Sequence, residues 1–260
     1  MRCRVRAGLV AACLVVGVAL PARAQTPTAV QVGIPGCADD VAVRASRQAI
    51  TFISRGRTVR AWLYSPGGTP NGDGLVMLHG GTGFEMNSIL FDAHAIQLAS
   101  RGYSVILPAY FDASAPDQRR RLVNGRAWRQ VALDAAAQLT ERAGINPGRV
   151  ALWGYSRGAG VAVNAATTPD SGVRSAILVA GGGSIGESSA TTDLSVLLLH
   201  ARRDEAVPVR ATLELADALR AAGAEVQVQG LDFDGHQYDL PTWCAVMGRT
   251  RSFLETRTDD

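Results

Sequence analysis

The chain has 260 residues, of which 47% are hydrophobic, and its formal net charge is +3. All 26 basic side chains are arginine. The lack of lysine excludes Schiff-base chemistry, serine–lysine hydrolases and the lysine-bearing phosphate loop of nucleotide hydrolases. The composition is that of a folded globular protein, and the length allows one large α/β domain or two small ones.

The first 24 residues have the features of a signal peptide. Arginines near the N-terminus precede a 14-residue apolar stretch, Ala7 to Leu20, and Ala22-Arg23-Ala24 supplies a small-x-small cleavage site. We therefore expect export to the periplasm or the medium, with a mature chain that begins at Gln25. Fourteen helical residues are too short for a bilayer core of about 30 Å, so no stable membrane anchor is expected.

Export changes the meaning of the cysteines. Cys3 and Cys13 lie in the segment that would be removed, which leaves Cys37 and Cys244. Two thiols in an exported protein favour a disulfide, which would tie the N-terminal extension, residues 25–48, to the C-terminal segment. Two independently buried thiols are the alternative.

One basic triplet, Arg119 to Arg121, occurs in the chain, and no aromatic residues are interleaved with it. A nucleic-acid-binding surface usually needs a broader basic patch. The triplet is interpreted as a solvated loop or helix start, and no nucleic-acid partner is expected.

After the extension, the pattern indicates an antiparallel hairpin followed by alternating strands and helices. Residues 50–53 and 59–64 flank Arg55-Gly56, which predicts the hairpin. Continuous apolar runs then predict parallel strands covered on both faces, at 74–78, 103–107, 150–154, 175–180, 194–200 and 225–230. Helical patterns follow them, at about 88–100, 126–143, 158–168, 208–222 and 241–255. Residues 49–260 are therefore predicted to form one doubly wound, mostly parallel α/β domain without a large cap.

Two segments match G-x-S-x-G, the pattern of a nucleophile elbow. The first, Gly154 to Gly158, has Ser156 at its centre, follows an apolar strand and leads into an apolar helix. The second, Gly182 to Gly186, has Ser184 at its centre and precedes a turn-like segment. An elbow needs a strand, a sharp turn and a helix, so Ser156 is the predicted nucleophile.

The segment Gly181 to Gly186 also matches G-x-G-x-x-G, the fingerprint of a dinucleotide-binding unit, and Asp204 follows it at a suitable distance. Only residues 187–193 separate it from the next strand, which is too short for the crossover helix that binds a pyrophosphate. A flexible loop is the preferred interpretation, and no cofactor is expected.

A nucleophilic serine needs a base, and the base needs an orienting carboxylate, in the chain order serine, acid, histidine. His236 follows the last predicted strand and is the expected base, whereas His200 lies within a strand and precedes the acids. Asp204 follows the penultimate strand and is the expected acid. Three neighbouring carboxylates are interpreted as solvated loop groups: Glu205, Asp232 and Asp234.

The oxyanion hole should combine the backbone N–H of Arg157 with one from the glycine-rich loop after residues 74–78. Gly81 is the expected loop donor, with Gly80 or Thr82 as alternatives.

The four histidines lie at positions 79, 94, 200 and 236 and lack the spacing of zinc ligands, so no metal is expected. His79 is interpreted as a brace of the glycine-rich loop, and His94 as a surface or packing residue.

With these residues the chain resembles an α/β-hydrolase, and more narrowly the dienelactone hydrolase family. The resemblance covers about residues 50–255 and includes the segment Arg101 to Pro108, which is similar to the family's second core strand. It implies esterase or lactonase activity without a cofactor. Unlike the founding members, the chain has Ser156 in place of cysteine, no glutamate at 79–81 and no arginine shortly after His236, which argues against the dienelactone itself as substrate.

We therefore expect an exported serine hydrolase that cleaves carboxylic esters or lactones and takes a small-molecule ester as substrate. A peptidase or thioesterase with the same triad, or a non-catalytic binding protein on a hydrolase scaffold, are the alternatives. Arg119 to Arg121, Arg157 or Arg202 could contact an anionic substrate, but ion pairing at the surface is the preferred interpretation of each. The sequence does not indicate an oligomeric state.

Overall fold

The computed structural model describes residues 28–29, 36–114, 125–185 and 191–257. The predicted signal peptide, part of the extension and the arginine triplet at 119–121 lie outside these residues.

One sheet contains the strands of the described residues. They are β1 (Thr28–Ala29), β2 (Ala45–Ser54), β3 (Arg57–Pro66), β4 (Gly74–Leu78), β5 (Ser104–Pro108), β6 (Val150–Tyr155), β7 (Ser175–Val179), β8 (Ser195–Ala201) and β9 (Glu225–Leu231). Their spatial order is β1-β2-β3-β5-β4-β6-β7-β8-β9. The first three strands pair antiparallel, and β4 to β9 are parallel to their neighbours within that set. The predicted mostly parallel sheet with an N-terminal hairpin is confirmed.

Helices cover both faces of the sheet. They are α1 (Phe84–Ser100), α2 (Gly125–Ala143), α3 (Arg157–Ala166), α4 (Val209–Ala221) and α5 (Leu240–Glu255). One apolar core lies between the sheet and α2, α3 and α4, and a second lies between the sheet and α1 and α5. Since β4, β5, β6 and β8 are buried at every position, their sequences are continuous apolar runs rather than alternating ones.

The hairpin is longer than its apolar pattern predicts. Every residue of β2 pairs with one of β3, including polar residues at the outer ends of both strands. The turn consists of Arg55 and Gly56, whose φ angles are 48° and 76°. Two positive φ angles are typical of the two-residue turn that matches the twist of a hairpin. β2 begins at Ala45, inside the segment predicted as an extension.

Residues 36–44 lie along α1 and are attached to α5. The backbone N–H and C=O of Val41 both bond the Gln97 side chain, each at 2.9 Å. Asp39 forms an ion pair with Arg251 of α5. Cys37 and Cys244 form a disulfide, as the cysteine count predicted.

No described helix combines the length and the apolar character needed to cross a membrane. Within the described ranges, no additional domain covers the carboxyl ends of the parallel strands.

Candidate active site

Ser156 lies in the sharp turn between β6 and α3. Its φ is 55° and its ψ is −116°, a conformation that residues other than glycine rarely adopt. The N–H of Ser156 donates to the Val179 carbonyl at 2.8 Å, which fixes the turn against β7. A strained turn at the carboxyl end of a central strand is the geometry of a nucleophile elbow.

The glycines on either side of the elbow have a steric cause. A Cβ on Gly154 would lie 2.2 Å from the carbonyl oxygen of Gly158. A Cβ on Gly158 would lie 2.2 Å from the carbonyl oxygen of Leu78, at the end of β4. Both positions must lack a side chain for α3 to start directly after the turn.

The second match to the elbow pattern has a different setting. Ser184 follows β7, but residues 181–185 form no helix, and Gly186 lies outside the described residues. Its loop lies beside the candidate site, because Gly182, Gly183 and Ser184 line the same cavity as Ser156.

The structure brings Ser156, Asp204 and His236 into one hydrogen-bonded chain. His236 Nε2 lies 2.9 Å from Ser156 Oγ, and His236 Nδ1 lies 2.7 Å from Asp204 Oδ2. Because a carboxylate accepts, Nδ1 carries the ring proton, and Nε2 can then accept the serine proton. This is the arrangement that activates a serine hydroxyl.

Asp204 is held by its own turn after β8. Its side chain is fully buried, and Oδ1 accepts from the N–H groups of Ala206 at 2.9 Å and Val207 at 2.8 Å. The carboxylate oxygens are therefore divided between the turn and His236.

The other candidate acids are exposed or paired with arginines and form no hydrogen bond with His236 among the described residues. Glu205 is exposed. Asp232 bonds Arg202, and Asp234 pairs with Arg203 at 3.3 Å.

Tyr155 is a site residue that sequence reasoning missed. Its ring stacks on the ring of His236 at 5.3 Å, and its hydroxyl donates to the His236 carbonyl at 2.5 Å. Burial raises the pKa of Tyr155, so the hydroxyl stays a donor. Tyr155 is the variable residue directly before Ser156 in the elbow motif. That neighbouring position is the one sequence signal that could have identified it as a site residue.

The glycine-rich loop after β4 lies next to the start of α3. The N–H of Gly80 is bonded to Asn87 Oδ1 at 2.8 Å, so this candidate donor is engaged. A Cβ on Gly81 would lie 3.5 Å from Arg157 Cζ, which places this glycine against the residue after the elbow. The Arg157 N–H is in the first turn of α3, where backbone donors have no intrahelical partner.

His79, at the start of this loop, fixes it through contacts with Tyr110. It is fully buried, and its ring stacks on Tyr110 at 4.0 Å. The Tyr110 hydroxyl donates to the His79 carbonyl at 2.8 Å. Burial lowers the pKa of His79 to about 4, so the ring is neutral near pH 7.

Ser156 opens into a cavity of about 780 Å³. Its lining combines small, apolar and polar groups, among them Trp128, Arg157, Val161 and Asn164. The Arg157 guanidinium lies over the rings of Phe111 at 5.8 Å and Trp128 at 5.9 Å. In the part of the chain that the structure describes, it has no carboxylate partner, whereas Arg202 has one in Asp232.

One described cluster has the spacing of metal ligands. It consists of Cys37, Asp39 and Asp40. The sulfur of Cys37 is in the disulfide and Asp39 is paired with Arg251, so these groups do not fit a metal site.

A sequence model described as the Dienelactone hydrolase family matches residues 59–238. Among curated proteins, none has a sequence that matches the chain significantly.

Solved structures share the fold at low sequence identity. A Klebsiella pneumoniae protein assigned to the dienelactone hydrolases has a TM-score of 0.63 and 19% identity, over 81% of this chain and 98% of its own. A dienelactone hydrolase-like promiscuous phosphotriesterase from metagenomic libraries has a TM-score of 0.69 and 16% identity, over 82% and 98%. An acylaminoacyl peptidase of Pyrococcus horikoshii has a TM-score of 0.65 and 17% identity, over 82% of this chain but 41% of its own. At these identities the likeness establishes the fold, that of the α/β-hydrolases.

Proposed function

Because the chain belongs to the dienelactone hydrolase family, we propose that it is a serine hydrolase that cleaves carboxylic esters or lactones through an acyl-enzyme on Ser156. The observation that carries this proposal is the hydrogen-bonded chain from Ser156 through His236 to the buried Asp204, set on a strained turn. A non-catalytic fold would have no need to maintain that strain beside a base.

The reaction would proceed in two acyl-transfer steps. Ser156 Oγ attacks the ester carbonyl while its proton moves to His236 Nε2, and Asp204 stabilises the imidazolium that forms. The N–H groups of Gly81 and Arg157 would stabilise the oxyanion. The tetrahedral intermediate releases the alcohol, which takes the proton from His236. Water then attacks the acyl-enzyme while its proton moves to His236, and the carboxylic acid is released as Ser156 Oγ takes that proton back.

We place the protein outside the cytosol. The first 24 residues have the pattern of a signal peptide, and the Cys37–Cys244 disulfide is of a kind that persists in oxidising compartments. Periplasm and medium are equally compatible with both features.

Fluorophosphonate labelling tests the nucleophile. We expect one adduct on Ser156 by peptide mass spectrometry, abolished in His236→Ala because the base is lost. Ser184→Ala is the matched control, since it removes the serine of the competing motif, and it should label like the wild type. An adduct on Ser184, or none on folded protein, contradicts the proposal.

Turnover of matched substrates tests the reaction class. An ester, an amide and a thioester that share one small acyl group are compared by kcat/KM. We expect turnover of the ester and none of the amide above its spontaneous rate, because an alkoxide leaves without the full protonation that an amine needs. Since a serine peptidase also cleaves esters, enzymatic turnover of the amide would instead assign a peptidase, and thioester turnover far above that of the ester would assign a thioesterase.

A further inference from the structure

His200 lies directly behind the candidate acid. It is at the end of β8 and is 2% exposed. Its Nε2 is 2.9 Å from the carbonyl oxygen of Val207 and 3.5 Å from Asp204 Oδ2. That oxygen is the one bonded by His236 Nδ1.

The second nitrogen of His200 reaches a different element. Nδ1 lies 2.6 Å from the hydroxyl of Thr212 on α4. The same hydroxyl bonds the carbonyl of Gly181, at the start of the loop that lines the cavity. His200 therefore joins the turn at 204–207 to α4 and, through Thr212, to the loop at 181–185 that lines the cavity.

The partners define the protonation of the ring. A carbonyl oxygen only accepts, so in the neutral ring Nε2 carries the proton and donates to Val207. Nδ1 then has no proton, and the single proton of the Thr212 hydroxyl is shared between Nδ1 and the Gly181 carbonyl. Burial lowers the pKa of His200, which keeps the ring neutral. Within the described residues, Asp204 and His236 are the titratable groups whose charges act on it.

We propose that His200 is a positioning residue that holds the Asp204 carboxylate against His236. The turn at 204–207 is closed from both sides, because the Val207 N–H bonds Asp204 Oδ1 while the Val207 carbonyl bonds His200. Nε2 also lies 3.5 Å from the Asp204 oxygen that binds His236. This role rests on the proposed function, because it acts through the triad and contacts no substrate.

Without His200 the turn loses its bond to β8 and keeps the two bonds that Asp204 Oδ1 accepts from Ala206 and Val207. Oδ2 can then move away from His236 Nδ1, and the imidazolium of the transition state is less stabilised. A misplacement of about 1 Å in such a group can cost on the order of a hundredfold in rate.

Two substitutions separate positioning from packing. His200→Phe fills the same volume but forms neither hydrogen bond, whereas His200→Gln keeps a donor toward Val207. We expect His200→Phe to lower kcat per titrated active site by roughly tenfold to a hundredfold with KM changed less than about threefold. His200→Gln should restore most of the loss.

A proton NMR signal tests the inference without turnover. The His236 Nδ1–H proton shared with Asp204 should give a far-downfield resonance in the wild type that disappears in His200→Phe and persists in His200→Gln. His94→Phe is the matched control. His94 is another buried histidine, but it lies on α1, outside the site. This variant should alter thermal stability without changing kcat or the signal.

The outcomes distinguish the two proposals. A His200→Phe protein with unchanged kcat and downfield signal would show that His200 only fills the core. If the wild type hydrolyses no ester, but shows the downfield signal and His200→Phe does not, the proposed function is refuted and the positioning role is retained. If His200→Phe does not fold, His200→Leu takes its place, because leucine is smaller and also lacks a donor toward Val207. An unchanged kcat and signal there would overturn the inference.

Discussion

Arg157 supplies the charge of the candidate pocket. Its guanidinium lies over Phe111 and Trp128 and next to Gly81, while its side chain lines the cavity with Ser156. The aromatic faces hold the cation in place, and its buried Nη1 has no hydrogen-bond partner among the described residues. The sequence interpretation, surface ion pairing, finds no partner for Arg157 among the described residues. A cation without a counter-charge beside a nucleophile favours substrates that carry a negative group near the ester.

Arg157→Gln tests this preference. We expect KM for a carboxylate-bearing ester to rise by about tenfold or more, because a hydrogen bond between charged groups contributes roughly 1.5–3 kcal/mol. KM for the neutral methyl ester of the same acid should stay within about twofold. The measurement is steady-state kinetics on both esters. Arg202→Gln is the control, since Arg202 is paired with Asp232, and equal effects on both esters would contradict the prediction.

The burial of His79 makes the stability of the folded protein depend on pH. Its pKa is lowered by burial from 6.5 to about 4, so unfolding restores a more basic group. The folded state therefore gains stability from the neutral ring above pH 6.5 and loses it as the pH falls toward 4. Linkage gives a loss of about 1.4 kcal/mol per pH unit in that window.

His79→Phe should reduce this dependence. The phenyl ring can keep the stacking on Tyr110 but has no proton to gain, so the urea unfolding free energy should fall about 2 kcal/mol less than in the wild type between pH 7 and pH 5. Unfolding curves at the two pH values measure the difference. Equal slopes in the two proteins would exclude His79 as a source of acid sensitivity.

The three candidate catalytic residues were predictable because each belongs to a local pattern. Ser156 has its elbow, and Asp204 and His236 each follow an apolar strand in the expected order. Tyr155 and His200 were not predictable in their roles, since both act through contacts that depend on how separate loops meet. The bond from Tyr155 to the His236 carbonyl spans 81 positions of sequence. No single-sequence pattern encodes such a distance.

At the level of elements, the elbow depends on the closeness of α3 to the end of β4. A Cβ at Gly158 would lie 2.2 Å from the carbonyl oxygen of Leu78, whereas one at Gly160 would lie 3.6 Å from its nearest neighbour. The two positions belong to the same helix and differ in the space that they offer.

Gly158→Ala and Gly160→Ala form a matched pair. We expect Gly158→Ala to lower the unfolding free energy by at least about 2 kcal/mol, because backbone must move to relieve the clash. Gly160→Ala should be neutral or stabilising by up to about 1 kcal/mol, as alanine is the better helix former. Denaturant unfolding compares them. Equal destabilisation would show that the packing of α3 is looser than its geometry indicates.

The bounds of the strands were easier to predict than the order of the strands in the sheet. The apolar runs identified β4 to β8 to within one or two residues, because strands buried on both faces carry mostly apolar side chains. The bounds of β9 were equally well predicted, but the expectation that both its faces are covered was wrong, since β9 lies at the sheet edge and most of its residues are partly or fully exposed. α1 begins at Phe84, about four residues before its predicted start, since exposed Met86 disrupts the apolar periodicity of its first turn. The order β5-β4-β6 depends on the paths of the connections, which the strand sequences do not encode.

For the whole molecule, residues 36–44 form an N-terminal clasp, a segment that joins α1 to α5. Residues 36–44 follow α1 through the bonds of Val41 to Gln97, and the Asp39–Arg251 pair attaches them to α5. α5 begins four residues after His236, with Asp239 as its cap. The clasp therefore supports the helix behind the histidine loop, although none of its residues contacts the triad within the described chain.

Removing the Cys37–Cys244 disulfide should lower stability much more than activity. The bond joins residues 207 positions apart, and closing so long a loop in the unfolded chain contributes about 5 kcal/mol in the loop-entropy model. We expect Cys37→Ser with Cys244→Ser to unfold at a clearly lower denaturant concentration, while kcat at 25 °C without denaturant stays within about threefold, since the triad hydrogen bonds do not involve the clasp. Either single variant should lose as much as the double variant, because the bond rather than either thiol is responsible. An unchanged midpoint would mean that the disulfide adds no stability to the folded protein. A large loss of kcat with an unchanged midpoint would instead show that the clasp positions the histidine loop.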